Sequence, residues 1–368
     1  MLDFTSSLYL GMQHPSWSLR PWAEFTTGAP AVLYSPASAR IAAQSIAVLQ
    51  GCEAGVLGTS TLHLFWDLFG ILAKQRIAVY LDAGAYPIAR WGTERAAAHG
   101  IAVRDFPHHD ANALQWLLNS DARKGMRPVV VTDGFCPGCG QPAPLASYLE
   151  NARAFGGRLV IDDTQALGIF GSSPRPGAPY GTGGGGMLAW SNIGGPDVLV
   201  VSSLAKAFGV PVAVLAGSQT SVRSFEEKSE TRVHCSPPST ATIHALEHAL
   251  EANSRSGNAI RLRLAALVKH FRKSMAAAGF NFSGELFPVQ TLEYPCGRAA
   301  AVLYERLRRA HIFAVLGSTH NRSGVIRLLI TAKNATRDFD YTAEKLAEAS
   351  KPQALANIAG EIHETTYV

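Results

Sequence analysis

Two stretches carry residues that could do chemistry together. IDDTQALG at 161–168 closes a hydrophobic run with an acid, Asp162. VLVVSSLAKAFG at 198–209 closes another with an amine, Lys206. Apolar runs that end in polar or small residues read as buried strands entering turns. The acid therefore belongs at the end of one strand and the amine just past the end of another. A lysine amine condenses with an aldehyde, and a buried carboxylate holds a cationic ring nitrogen. The pair is the least a protein needs to use an aldehyde-bearing pyridine ring as an electron sink. Lys206 lies between an apolar strand and AFGVPVAVLAG, a poor place for a solvated charge.

The elements that must position this pair alternate between strand and helix signals, which predicts an α/β sheet. Strand signals fall at 54–57, 77–82, 101–106, 129–135, 158–163, 198–203 and 212–218. Pro144 opens a helix whose apolar residues recur at three- and four-residue steps, and Gly156 and Gly157 end it. After about residue 240 the pattern changes. Helices at 239–254 and 258–279 lead into a smaller α+β unit with strands at 289–294, 312–316 and 325–331 and helices at 298–310 and 338–349. The tail beyond 352 carries little pattern. The expected organisation is an N-terminal segment over 1–40, a large cofactor-binding α/β domain over 41–255 and a small C-terminal α+β domain over 256–368.

These stretches resemble the fold-type I pyridoxal 5'-phosphate (PLP) enzymes, and within them the α-oxoamine synthase group, which includes 8-amino-7-oxononanoate synthase and 2-amino-3-ketobutyrate CoA ligase. The likeness runs from FTSSLYLG at 4–11 to VIRLLITA at 325–332 and is strongest at 129–171 and 198–218. It implies an aminotransferase-like fold: a mostly parallel seven-stranded sheet sandwiched by helices, one strand antiparallel, plus a smaller C-terminal α+β domain. It also implies a homodimer and PLP as cofactor. The substrates it implies are an amino acid and an acyl-CoA or acyl carrier thioester.

The resemblance assigns roles by position. Lys206, in Ser-Leu-Ala-Lys-Ala-Phe-Gly, holds the cofactor and acts as the base. Asp162 pairs with the pyridinium nitrogen, and Asp163 turns to the other face. Thr59, Ser60 and Thr61 precede the apolar helix LHLFWDLFGIL and match a phosphate turn. A hydroxyl there caps the helix while the free amides favour phosphate, and both readings can hold. Ser203 matches a phosphate-directed hydroxyl. Ser236, in HCSPPST, matches one supplied by the partner subunit, with Cys235 or Ser239 as alternatives. Arg327, in GVIRLLITA, matches an arginine whose planar fork grips the substrate carboxylate. A structural ion pair competes for that residue.

Several positions depart from the group. Gln165 stands where the synthases carry the histidine that contacts the cofactor's phenolic oxygen, and its amide can donate the same bond. Tyr86 stands where they carry the histidine that stacks on the ring, and offers a flat face instead. Ser7, on the substrate side, replaces an asparagine of the FTSSLYLG element. TGAPAVLYSPAS at 27–38 replaces a glycine-rich stretch, and the synthases' extra N-terminal segment is not seen. The main reading is synthase-like condensation. An aminotransferase of the same fold, or a catalytically inactive PLP-binding homologue, stays open beside it.

Composition bounds the rest. The chain has 368 residues, 47% hydrophobic and 17% charged, which reads as globular rather than disordered. The net charge of +5 comes without a nucleic-acid-binding motif, so no nucleic-acid partner is expected. No apolar run reaches the length of a membrane span, and the N-terminus lacks a secretory pattern, so a cytoplasmic location is expected. Five cysteines fit a reducing compartment. Cys136-Pro-Gly-Cys139 has metal or redox spacing, but a zinc site asks for a second such pair, so no metal is expected. His108 and His109, in PHHD, read as surface residues. The stretch GSSPRPGAPYGTGGGGMLAWSNIGGP at 171–196 reads either as a loop near the site mouth or subunit interface, or as a floppy excursion.

Overall fold

Seven strands pair into one sheet: β1 (Ala54–Gly58), β2 (Ile77–Asp82), β3 (Val103–Phe106), β4 (Arg127–Asp133), β5 (Arg158–Asp162), β6 (Val198–Ser203) and β7 (Ala213–Gly217). Their spatial order is β1-β7-β6-β5-β4-β2-β3. β7 runs antiparallel to both of its neighbours. The remaining pairings are parallel. This is the mostly parallel seven-stranded α/β sheet, with its one reversed strand, that the sequence leads one to expect. A parallel sheet covered on both faces needs strands apolar along their length, and β2 and β7 are buried at every residue. The computed structural model describes residues 1–121, 125–318 and 324–350.

The chain divides into two compact units. The larger takes Met12–Cys136 and Pro142–Asn258, and the smaller takes Met1–Gly11, Pro137–Gln141 and the chain from Ala259 onward. In the larger unit the helices are α1 (Ala37–Gln50), α2 (Thr61–Leu72), α3 (Pro87–Ala98), α4 (Ala111–Asp121), α5 (Leu145–Arg153), α6 (Gly186–Ser191), α7 (Gln219–Lys228) and α8 (Glu230–His234). α2 places Leu64, Phe65, Leu68 and Phe69 into one apolar cluster with Val79, Val131, Val160 and Val201 of the strands. Those four valines lie on one sheet face because strand side chains alternate. Local signals set the helix ends. Pro87 is the first residue of α3, and Gly51 ends α1 in the left-handed region at φ 78.

Two expectations change here. α9 (Thr240–Ala277) is a single continuous helix where the pattern gives two. Its Ser-Arg-Ser-Gly run at 254–257 contains no proline. Ser256 Oγ bonds the Ala252 carbonyl at 3.0 Å, and Gly257 is buried, so the helix passes through its weak stretch. The Gly- and Pro-rich stretch after Phe170 is also not a floppy excursion. Bridges Leu167–Gly185, Ser172–Thr182 and Arg175–Ala178 fold it back on itself. Phe170 packs against Phe135, Tyr180 and Trp190, and Tyr180 is buried.

The smaller unit carries an antiparallel sheet in the order β8-β10-β9, made of β8 (Val289–Tyr294), β9 (Val315–Ser318) and β10 (Gly324–Leu329). Its helices include α10 (Gly297–Arg309) and α11 (Thr336–Ala349). The strand expected at 312–316 is split: Ile312–Phe313 pairs in parallel with Leu2–Asp3, and Val315 starts β9. The tail beyond 352 lies outside the described residues.

Candidate functional site

Three strands of the large sheet end in an acid at their carboxyl edge. They are β2 with Asp82, β4 with Asp133 and β5 with Asp162. All three are buried. The carboxyl edge of a parallel sheet is where α/β folds present ligand-binding groups. Asp133 and Asp162 are directly paired in register, so their side chains share one face. Burial raises the pKa of Asp162, opposed by hydrogen bonds from Thr164 and by the charge of Lys206. Burial raises Asp133 well above the usual carboxylate range, and the charge of Asp162 adds to it.

Lys206 stands half-buried three residues past the end of β6. Burial lowers the pKa of its amine, against the pull of Asp162 and then Asp133. Among the described residues the amine makes no hydrogen bond or ion pair. It is therefore a partly desolvated amine within electrostatic reach of two acids and committed to neither. Thr164 ties the two strand ends together. Its amide bonds Asp162 Oδ1 at 3.0 Å, and its hydroxyl accepts the Ser203 amide at 3.0 Å. Ser203 Oγ in turn accepts the Ala205 amide at 3.3 Å. The expected Asp162, Ser203 and Lys206 thus belong to one connected strand-end cluster.

Tyr86 joins the cluster through its backbone, whose amide donates to Asp133 Oδ1 at 3.0 Å. Its side chain is 51% exposed at the start of α3, free to offer a ring face. Gln165 is half-buried in the turn that follows Asp162. Asp163 turns to the other face, as alternation requires. Its Oδ2 accepts the Met187 amide at 2.9 Å, and the residue is 1% exposed.

Thr59, Ser60 and Thr61 open α2 directly after β1. Ser60 is the N-cap, in extended conformation at φ −158, and its oxygen accepts the His63 amide. The hydroxyls of Ser60 and Thr59 lie 2.8 and 3.2 Å from His63 Nδ1. The first amides of any helix have no intrahelical acceptor, so this end attracts anions. Ser236 is exposed, in a loop that shares a cleft with Gly58, Thr59 and His63 of its own chain. Cys235 lines the same cleft.

Arg327 lies in the smaller unit on β10, opposite Thr291 on one side and Val315 on the other. Its guanidinium runs over Gly317, where an added Cβ would sit 2.7 Å from Nη1. Ser7, also in the smaller unit, is half-buried, and its carbonyl accepts the Tyr9 amide at 2.8 Å.

His108 is not an idle surface residue, which corrects the expectation. Its Nδ1 lies 2.6 Å from Asp82 Oδ1, and that bond, with one to Cys136, pushes its pKa up to about 10. His109 is also half-buried. Asp133, Thr164 and Asp82 are absent from the expected set. The two aspartates did leave a signal, since IAVYLD and VVVTD each close an apolar run with aspartate; Thr164 left none.

Comparison with known proteins bears on the family and the fold. The family model described as aminotransferase class I and II matches residues 68–346. An 8-amino-7-oxononanoate synthase from Sodalis glossinidius (strain morsitans) is 27% identical over 366 residues, covering 96% of this chain and 89% of the relative. A serine palmitoyltransferase from S. paucimobilis, solved with PLP and myriocin bound, superposes with a TM-score of 0.81 at 15% identity, covering 94% of this chain and 86% of that one. An 8-amino-7-oxononanoate synthase from Francisella tularensis gives a TM-score of 0.74 at 16% identity, covering 96% and 98%. The family model spans well over half of the chain, and the chain belongs to the aminotransferase class I and II family.

Proposed function

We propose that the chain is a PLP-dependent transferase that condenses an amino acid with an acyl thioester, in the manner of the α-oxoamine synthases. One observation carries this reading: Asp162 and Lys206 sit in a single strand-end cluster that Thr164 and Ser203 hold together. The residues present fit PLP. A buried carboxylate suits the ring nitrogen, a desolvated amine suits the aldehyde, and the N-terminus of α2 suits the phosphate. When bound, the cofactor supplies an electron sink next to the amino acid's α-carbon.

The chain's own residues do the rest. Asp162 holds a proton on the ring nitrogen. Lys206, its pKa lowered by burial, spends more time as the neutral amine and so serves as nucleophile and then base. Tyr86 covers a ring face, and Gln165 donates to the phenolic oxygen. Thr59, Ser60, Thr61 and Ser203 bind the phosphate, with Ser236 beside them. Arg327 and Ser7 take the substrate. Support for condensation comes from the curated 8-amino-7-oxononanoate synthases that match nearly the whole chain.

Tyr86 and Gln165, both replacing synthase histidines, favour an aminotransferase as the second reading. The PLP-loaded protein, given one amino acid and one acyl-CoA at a time, separates the two. Release of free CoA that requires the amino acid supports condensation. Keto-acid formation without CoA release supports transamination and overturns the main reading. An amino acid that changes nothing in the cofactor's visible spectrum points to the inactive homologue. Borohydride reduction and peptide mapping test Lys206, since cofactor fixed elsewhere removes it from its role.

The reading includes a homodimer. Trp17, Phe25, Leu33, Tyr34, Ile41 and Val48 stand exposed on the N-terminal segment and α1, apolar positions that a partner subunit would cover. Sedimentation checks it, and a monomer that persists at the highest soluble concentration rules it out. Among the described residues no helix is long and apolar enough to cross a membrane.

A further inference from the structure

The sheet face opposite Asp133 and Asp162 carries a second cluster. Asp82 is fully buried and fixed on several sides. It accepts the Gly84 amide at 2.8 Å, the His109 amide at 3.1 Å and the Tyr148 hydroxyl at 3.1 Å. It cannot turn away from His108, whose Nδ1 lies 2.6 Å from Asp82 Oδ1. His108 also hydrogen-bonds the side chain of Cys136. An acid that orients an imidazole against a thiol is the arrangement that converts a thiol into a thiolate–imidazolium pair.

The surroundings reinforce the pair. The His109 ring lies tilted against His108 with ring centroids 3.7 Å apart. Burial and then the charge of His108 lower the pKa of His109, so the shared charge rests on His108. Among the other titratable groups facing the cluster are Tyr148, with Asp110 beyond it, Asp133 and Cys139. Cys136 keeps 9% of its surface exposed, which suits a small reagent.

We propose that Cys136, His108 and Asp82 form a nucleophilic thiol centre that takes small carbon electrophiles at the Cys136 sulfur. With an alkyl halide the thiolate forms the S–C bond, the carbon–halogen bond breaks, and halide leaves with the electron pair. His108 keeps its proton and Asp82 holds the imidazolium. The centre needs no PLP and stands whichever reaction the chain catalyses.

The test is limiting iodoacetamide on the full chain at about pH 6 and about pH 8, read by peptide mass mapping. Cys136 is expected to label at rates within about threefold of each other at the two values, since a thiolate is present at both. Cys52, whose thiol burial pushes up to about 12, is the unreactive internal reference. His108→Asn is expected to slow Cys136 labelling at about pH 6 by about tenfold or more and to restore the ordinary steep rise with pH. Asp82→Asn acts in the same direction. If His108→Asn does not fold, the profile of the unaltered chain decides alone. A rate climbing about tenfold per pH unit, no label on Cys136 at either pH, or a profile unchanged in folded His108→Asn overturns the proposal.

Discussion

Asp133 and Asp162 face each other in register at the carboxyl ends of adjacent parallel strands, and both are buried. Two carboxylates so placed do not ionise independently. Thr164 donates its amide and hydroxyl to Asp162, and the charge of Lys206 also favours the ionised form there. Asp133 has one donor, the Tyr86 amide, and feels the charge of Asp162. The pair's proton therefore rests on Asp133, and Asp162 is left as the carboxylate. The register of two strands thus selects which acid can face a cationic ring.

Asp162→Asn and Asp133→Asn should then behave differently despite their symmetry. Asn at 162 cannot hold a proton on a pyridine nitrogen, and kcat should fall by about 10²-fold or more, the scale of removing one electrostatic partner in a desolvated site. Asn at 133 replaces a neutral acid and keeps an oxygen for the Tyr86 amide. Its kcat should fall by less than about tenfold. Steady-state kinetics of the two variants check this; a larger loss in Asp133→Asn would mean that Asp133 is the charged partner, and equal losses would remove the asymmetry.

The same asymmetry has a pH signature in stability. The folded-state pKa of Asp133 lies above its unfolded value. Between the two values the folded chain binds more protons, so stability falls as pH rises through that window. The contribution is fully present below the unfolded value, about 3.9 for aspartate, and is lost once pH passes the raised one. Asp133→Asn removes this dependence. Denaturant melts at a series of pH values should show the unaltered chain losing stability relative to the variant as pH climbs from about 4. A stability difference independent of pH would sink the assignment of the proton to Asp133.

Much of this was legible in the sequence because the sheet is buried on both faces. Such strands must be apolar throughout, and the inner strands stood out for that reason, while the edge strand β3, VRDF, is only half apolar. Asp162 and Lys206 were legible because a charge at the end of an apolar run has no bland explanation. Thr164 was not, because a threonine in a turn after an acid looks like turn chemistry. Only the tertiary pairing of β5 with β6 shows that its hydroxyl reaches the Ser203 amide. Asp82 and His108 were missed for a related reason: the two lie 26 residues apart and meet only because β2 and β3 are neighbours. The break expected within α9 failed because a lone glycine weakens a helix by only about 1 kcal/mol, which burial offsets.

Thr164 is the next residue to test. Thr164→Val removes the hydroxyl that serves Asp162 and accepts the Ser203 amide, while leaving the shape. Stability should drop by about 1–3 kcal/mol, the cost of leaving buried polar groups unpaired. Asp162, with one donor fewer, should hold its own proton more tightly, and the alkaline shift should appear in the pH dependence of kcat/KM. Thr164→Ser keeps the hydroxyl and should restore both. A valine variant that loses stability without moving the pH profile would confine Thr164 to a structural part.

Gly186 is held to glycine by two separate causes that can be measured apart. Its φ is 81, in the left-handed region. An added Cβ there would also collide with Asp163 Oδ2, the oxygen that accepts the Met187 amide and so anchors the start of α6. Gly186→Ala should therefore cost at least about 2 kcal/mol in denaturant melts. Gly177, in the same excursion, has nothing within 4 Å of its would-be Cβ and no positive φ. Gly177→Ala should stay within about 0.5 kcal/mol of the unaltered chain. Repeating Gly186→Ala in an Asp163→Ala background isolates the collision, since the backbone strain survives and the clash does not. The second step should then cost only about 1 kcal/mol. If the two substitutions instead add, Asp163 does not press on this turn, and the glycine-rich stretch owes its order to Phe170 and Tyr180 rather than to the buried acid.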